Sequence, residues 1–452
     1  MKKRILTSIS LMLGLLAVQA QGPTAEQDKC LSITQCYQAA QQNFPLVKQY
    51  ELIGKSRDYT VSNAMRSYLP QVNLSAKASW QSDVTRLSID EDKLAASSYG
   101  SFINVDELND LFPSVSKDQY GVSFDIVQTI WDGGASKAQS DMAGSEAEAS
   151  AKSIDADIYG LRAKINDLYF GIILLQNGLE LNDLMLGSLE ANYDKVKAYC
   201  DNGIAGQADL DALRIRILQT KQEALNMQNS KRAYCKMLAL LTGLDIDESY
   251  TLLKPEELSF DNNAQLNRPE LAMYDAQIQQ VYSQNRLLDA SITPKFGLYV
   301  SGGYGRPGLN MLEDSFQPYV VAGIKLSWNI GNFYNLGNNR RLLQTKVAGI
   351  ESAKEVFKLN ADMDISRHNS ELESLRGQMA YDDEIIALRH SVLKANEKKM
   401  AEGTISGSDL VGYMNEALAA EQSKAQHEVQ LLLAMYNLQF ARGENQSTTN
   451  DF

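Results

Sequence analysis

Asn267-Arg268-Pro269-Glu270 repeats the pattern of Asn43-Phe44-Pro45-Leu46. At the same offset in numbering, the proline of Tyr68-Leu69-Pro70 returns as Pro294, in Ile292-Thr293-Pro294. Farther along, Gly203, Asp209-Leu210 and Gly243 match Gly403, Asp409-Leu410 and Gly443, all at a second, shorter offset. Self-similarity at a fixed spacing marks a duplicated structural unit. The change of spacing can be located. The stretch from Gln81 to Gln119 is longer than its counterpart, Gly305 to Pro318, by as much as the offset shortens, to within one residue. One unit therefore occurs twice, with one loop of unequal length.

Both units read alike. Pro45 and Pro269 suit the first position of a helix, where the missing N–H is not needed. A second proline, Pro70 or Pro294, follows equally far on in each copy and ends that helix. Two strands follow, then a long helix, a glycine-containing turn and a return helix that stops at Gly243 or Gly443. The expected division is a leader at 1–20, a first repeat at 21–243, a mid-shaft segment at 244–267, a second repeat at 268–443 and a tail at 444–452.

The strands are expected at about 71–80, 120–131, 295–304 and 320–330. From Gln71 to Trp80, Val72, Leu74, Ala76, Ala78 and Trp80 alternate with Gln71, Asn73, Ser75, Lys77 and Ser79. Strict period-two alternation gives a strand with one apolar face. Phe124 and Ile126, Phe296 and Leu298, and Ile324 and Leu326 belong to the apolar sets of the other three. Ten to twelve residues is about what a tilted strand needs to cross a bilayer. Trp80, Tyr120, Tyr304 and Tyr319 gather at the loop end, and Trp131 and Trp328 at the other, as in an interfacial girdle. Val72, Leu74, Phe124, Ile126, Phe296, Leu298, Ile324 and Leu326 are therefore expected to face lipid and the polar faces a wet pore. Four strands cannot close a barrel, and open edges are not tolerated in lipid, so such a chain must oligomerise.

The helices carry a coiled-coil seam. Ile158, Leu161, Ile165, Leu168, Ile172, Leu175 and Leu179 alternate by three and four, and the pattern resumes at Leu186, Leu189, Tyr193, Val196 and Cys200. The helix is expected to begin near Ala135, giving about 100 Å at the usual rise, far more than a bilayer. Leu372, Leu375, Met379, Ile386 and Leu393 mark its counterpart. Each return helix, 210–241 or 410–441, is about half as long, so the short helices 46–69 and 270–293 should stack end to end with them.

Composition narrows the function. Acids exceed bases by 56 to 43, which leaves no dominant cationic face for a nucleic acid. Mean hydropathy is −0.29, and beyond the N-terminus no apolar run approaches the ~20 residues of a spanning helix. Lys2, Lys3 and Arg4, the apolar stretch Ile5 to Val18, and Val18-Gln19-Ala20 form a secretory signal, with cleavage expected after Ala20 and no lipid attached. Cys200 and Cys235 should sit far apart along a hairpin and not pair, whereas Cys30 and Cys36 are close enough in sequence to do so. The histidines, His368, His390 and His427, read as solvated surface. No metal spacing, cofactor motif or nucleophile–base pair stands out. Gly302-Gly303-Tyr304-Gly305-Arg306-Pro307-Gly308 lacks the ending of a phosphate loop and reads as a surface turn.

Taken in order, Asn43-Phe44-Pro45, Tyr68-Leu69-Pro70, Ile130-Trp131-Asp132-Gly133-Gly134, Asn267-Arg268-Pro269-Glu270-Leu271 and the two turns resemble the TolC family of outer-membrane efflux proteins over essentially the whole mature chain. The resemblance implies an α+β membrane protein: a homotrimer with a 12-stranded barrel and an α-helical tunnel crossing the periplasm. It would be met there by a periplasmic adaptor and an inner-membrane pump. It implies a passive, non-enzymatic duct for small molecules. Alternatives are the exit duct of a type I protein-secretion system and a soluble periplasmic coiled-coil adaptor. By the same resemblance, Asp209 and Asp409 are gate candidates at the tunnel mouth, and Gly203, Ile204, Gly403 and Thr404 are candidates for adaptor docking. The sequence departs from the pattern at Trp328-Asn329-Ile330-Gly331-Asn332, which lacks the Gly-Gly pair, and at Gly412, where some members carry a second gate aspartate. Ser406 and Asp409 also have capping-box spacing, which alone would account for Asp409.

Overall fold

The computed structural model describes residues 30–85, 90, 92–93, 96–97, 115–203, 206–260 and 265–444. The expected leader, Ile204 and the tail beyond 444 lie outside them. A short strand β1 (Cys30–Leu31) leads into α1 (Ile33–Asn43), a 3-10 turn at Pro45–Val47 and α2 (Lys48–Arg66). Strands β2 (Gln71–Trp80) and β3 (Asp118–Trp131) precede the 67-residue α3 (Ala135–Asp201) and its return, α4 (Gln207–Thr242). After β4 (Thr251–Leu252) the scheme repeats: α5 (Pro269–Ser291), β5 (Lys295–Arg306), β6 (Gln317–Ser327), the 70-residue α6 (Asn332–Ala401) and α7 (Gly407–Arg442).

Three details differ from the expected scheme. Helix α1 has no place in it; Ser32 caps this helix reciprocally with Gln35, and Ile33, Cys36 and Ala40 bury its inner face. The last strand ends at Ser327 rather than 330, where Trp328 turns to donate its indole N–H to the Ile292 carbonyl at 2.9 Å. Gly302 to Arg306 are strand, not turn.

The short helices do stack. Gly243 ends α4 with φ +70°, and an added Cβ there would lie 2.8 Å from Cβ of Asn43, whose amide donates to the Thr242 carbonyl at 3.0 Å. In the second copy Asn267 donates its backbone N–H to the Arg442 carbonyl at 2.9 Å, and a Cβ on Gly443 would collide with Asn267. The repeated Asn and Gly are thus the two halves of one joint. Each needs a residue without a Cβ and with left-handed backbone.

Among the described residues three apolar clusters run along the shaft, the smallest being Val281 of α5 with Leu343 and Val347 of α6. At mid-height Ile165, Tyr169, Phe170 and Ile172 of α3 meet Cys36 of α1 and Met435 and Leu438 of α7. Toward the turns Leu189, Val196, Leu213, Ile217, Leu410 and Met414 join both hairpins. A fully buried leucine such as Leu189 contributes about 1.5–3 kcal/mol. Ile158, Leu168, Leu175 and Leu179 are only half-buried, because α3 is packed on several sides and buries Tyr159, Tyr169 and Phe170 as well as its seam.

All four cysteines are free thiols, so Cys30 and Cys36 do not pair. Burial pushes the Cys36 thiol up to about 12. The histidines are not uniformly solvated. His368 is buried, with Nδ1 3.2 Å from Glu371, and His427 is half-buried, 2.8 Å from the buried Asp382. His390 is exposed but also meets a carboxylate, Glu421 of α7, at 2.7 Å, so each of the three histidines has an acidic partner.

Candidate membrane face and tunnel mouth

The order of the four-stranded sheet is β2-β3-β5-β6, antiparallel throughout. Residues paired directly across an antiparallel sheet share a face. Val72 pairs with Ile126 and Leu74 with Phe124, Ile126 continues to Val300, and Leu298 and Phe296 face Ile324 and Leu326. The eight residues singled out above therefore form one face. All but Ile126 are exposed in the single chain, up to 77% for Ile324. The opposite face carries Asn73, Ser75, Ser123, Asp125 and Ser301, with Ser75 and Ser123 hydrogen-bonded at 2.7 Å. Gly323 and Gly303 lie under the rings of Tyr299 and Tyr319, which cover the bare backbone there. β2 and β6 each have one unpaired edge.

Where sheet meets shaft, Asp132 is buried. Its carboxylate accepts from Tyr68 Oη at 2.8 Å, Gly134 N–H at 2.9 Å and Ser136 N–H at 2.6 Å. Burial raises its pKa, but these donors outweigh it and hold the group below the usual range. The second copy does this differently: Asn332 donates its side-chain amide to the Ser291 carbonyl at 2.8 Å.

The far ends of the hairpins are the turns. Gly403 has φ +71° and donates to the Met400 carbonyl at 2.9 Å, while Thr404 N–H reaches the Lys399 carbonyl at 2.9 Å. This pair of bonds is a Schellman motif, and it needs glycine at its left-handed position. Thr404 Oγ1 also donates to Lys399, so both donors of Thr404 are committed. Gly203 has φ +74°.

The two aspartates differ. Asp409 accepts from Ser406 Oγ at 2.7 Å and Ser406 N–H at 3.1 Å, and returns its own N–H to Ser406 Oγ at 3.1 Å. The Ser406 side chain, then its backbone, lower the Asp409 pKa. Asp209 accepts Gly206 N–H in its own turn at 3.4 Å through Oδ2 and also reaches across: Oδ1 accepts Gly407 N–H from the other hairpin at 2.8 Å, and an added Cβ on Gly407 would sit 2.9 Å from that of Asp209. The first copy's aspartate thus caps the second copy's helix. No sequence signal marked this contact, because its partners are 198 residues apart.

The family model for outer membrane efflux proteins matches residues 36–244 and 262–444. No curated protein matches the sequence. Among solved structures, the outer-membrane channel OprN superposes with a TM-score of 0.66 at 15% identity, over 91% of this chain and 90% of that one. The Campylobacter jejuni CmeC outer membrane channel gives 0.63 at 14%, over 91% and 85%. The outer membrane protein VceC from Vibrio cholerae gives 0.62 at 15%, over 91% and 96%. At these identities the likeness is one of fold.

Proposed function

The chain belongs to the outer membrane efflux protein family, and from that premise we propose that three copies close the sheet into a 12-stranded barrel standing on a helical tunnel. As a member of that family it is an outer-membrane, non-enzymatic exit duct, and the soluble-adaptor alternative falls away. In the proposed assembly, small molecules pass from an inner-membrane pump through a periplasmic adaptor and this duct to the exterior. Energy comes from the pump. Val72, Leu74, Phe124, Ile126, Phe296, Leu298, Ile324 and Leu326 meet lipid. The adaptor docks on the turns at Gly203, Ile204, Gly403 and Thr404; since the donors of Thr404 are committed, its methyl and carbonyl would be met. Asp209 and Asp409 ring the mouth. The repeats 21–243 and 268–443, with 244–267 as the mid-shaft belt, are the organisation assumed.

The observation that carries this reading is the open sheet: one continuous apolar face and two unpaired edges, which hydrocarbon does not tolerate. A matching surface runs along α6, where Tyr381, Ile385, Leu388 and Val392 are exposed at helical spacing. The test is the mass of the detergent-purified protein, with Leu388→Arg beside it. Wild type should be trimeric, and the variant folded but dissociated. A wild-type monomer would end the proposal.

A further inference from the structure

The polar face of the sheet has an unusual charge. The register puts Lys77, Lys295, Lys325 and Asp125 on it and no other charged residue. The whole chain is acidic, at −13, yet this face has three lysines against one aspartate. Asp125 is already engaged by Ser123 at 3.0 Å and by Ser301. Lys295 pairs with Ser327 and Lys325 with Gly297, so the two lysines are diagonal cross-strand neighbours. Diagonal partners are within reach of long side chains, and adjacent like charges are destabilising. Among the described residues neither has an ion-pair partner.

Both lysines line a cavity of about 470 Å³ where the strands join α3. The one carboxylate in its wall is Asp132, whose two oxygens already hold Tyr68, Gly134 and Ser136. Each cavity thus keeps an excess of positive charge. Asp125 pairs with Ser301, six residues along β5 from Lys295 and roughly 20 Å away at the usual rise, beyond the Debye length at physiological salt.

We propose that Lys295 and Lys325, repeated around the threefold axis, form a cationic ring at the shaft end of the barrel that favours anionic solutes, those bearing carboxylate, sulfonate or phosphate groups, over cations. The inference rests on the trimeric duct proposed above. Rings of Lys or Arg give anion-passing pores, and low-dielectric walls focus their field. The expense of holding two lysines side by side is then accounted for by what passes them.

The test uses full-length trimers in detergent and in planar bilayers. The probe is pyrenetetrasulfonate, with K295Q/K325Q and K295R/K325R as variants. In low salt, fluorescence anisotropy should show the tetra-anion bound about tenfold more weakly by the glutamine variant and normally by the arginine variant. In a potassium chloride gradient the reversal potential of the glutamine variant should shift toward potassium, and that of the arginine variant should stay put. Equal binding and equal reversal potentials in all three would overturn the proposal while leaving the duct intact. Trimers that bind the probe in the expected order support the ring even where the mouth passes no current. Failure of the wild type to form trimers would overturn the duct and the ring together.

Discussion

Asp409 and Asp209 occupy matching places in the two repeats but do different work, and each supports a distinct expectation. The cap at Asp409 depends on an ionised carboxylate whose folded pKa lies below its unfolded value. Its contribution is therefore complete above the unfolded pKa and is lost as pH falls through the lower folded value. Protection of the Asp409 amide against hydrogen exchange, corrected for intrinsic rates, should be flat from about pH 5 to 8 and fall only below about pH 4. A decline beginning near neutrality would mean that another group controls the turn. Asp209 depends on distance instead. Gly407→Ala would push its methyl against Asp209, and such overpacking costs about 1–3 kcal/mol. The expected result is faster proteolysis around residues 203–209 with the rest of the shaft unchanged; an unaltered cleavage rate would show that the hairpins part without cost. The capping box could be read from Ser406 and Asp409 because its partners are three residues apart. The Asp209–Gly407 bond could not, since it exists only once both hairpins are packed.

At the scale of elements, what the sequence disclosed was whatever repeats or alternates. The two offsets between the repeats located both hairpins, and period-two alternation found β2 to its last residue. What escaped was local and short, or tertiary in origin. Helix α1 has Ile33, Cys36, Tyr37 and Ala40 at helical spacing, with Ser32 and Gln35 as its cap, yet it spans only 11 residues and lies beside a proline that suggested a later start. The pairing of β1 with β4, which joins distant parts of the sequence, is fastened from outside the sheet. The Tyr169 hydroxyl lies 2.8 Å from the Leu31 carbonyl and 2.7 Å from that of Leu253, and donates its one proton to either. Tyr169→Phe should remove that donor while the Leu31 carbonyl keeps the Leu253 N–H at 3.1 Å, at about 0.5–1.5 kcal/mol. Cleavage by a protease in the 253–260 segment should quicken, and an unchanged rate would assign the fastening to the core around Phe170 instead.

For the whole molecule, the two faces of the sheet are the quantity to test. Ile324→Arg places a charge on the apolar face and should cost roughly 2–4 kcal/mol if that face meets hydrocarbon, whereas Ser75→Arg on the polar face should be tolerated. The comparison is the yield of folded trimer in each case, and equal yields would remove the sheet from the membrane. The unpaired edges of β2 and β6 also set a schedule for the cell. If the chain works as the proposed trimer, a lone copy has no tolerable resting place in the bilayer, and its apolar strands would have to be kept outside until two others arrive. Insertion would then be a meeting of three, and its rate would rise far more steeply than in proportion to supply. A cell that halves its synthesis of this chain should lose much more than half of its rate of channel appearance.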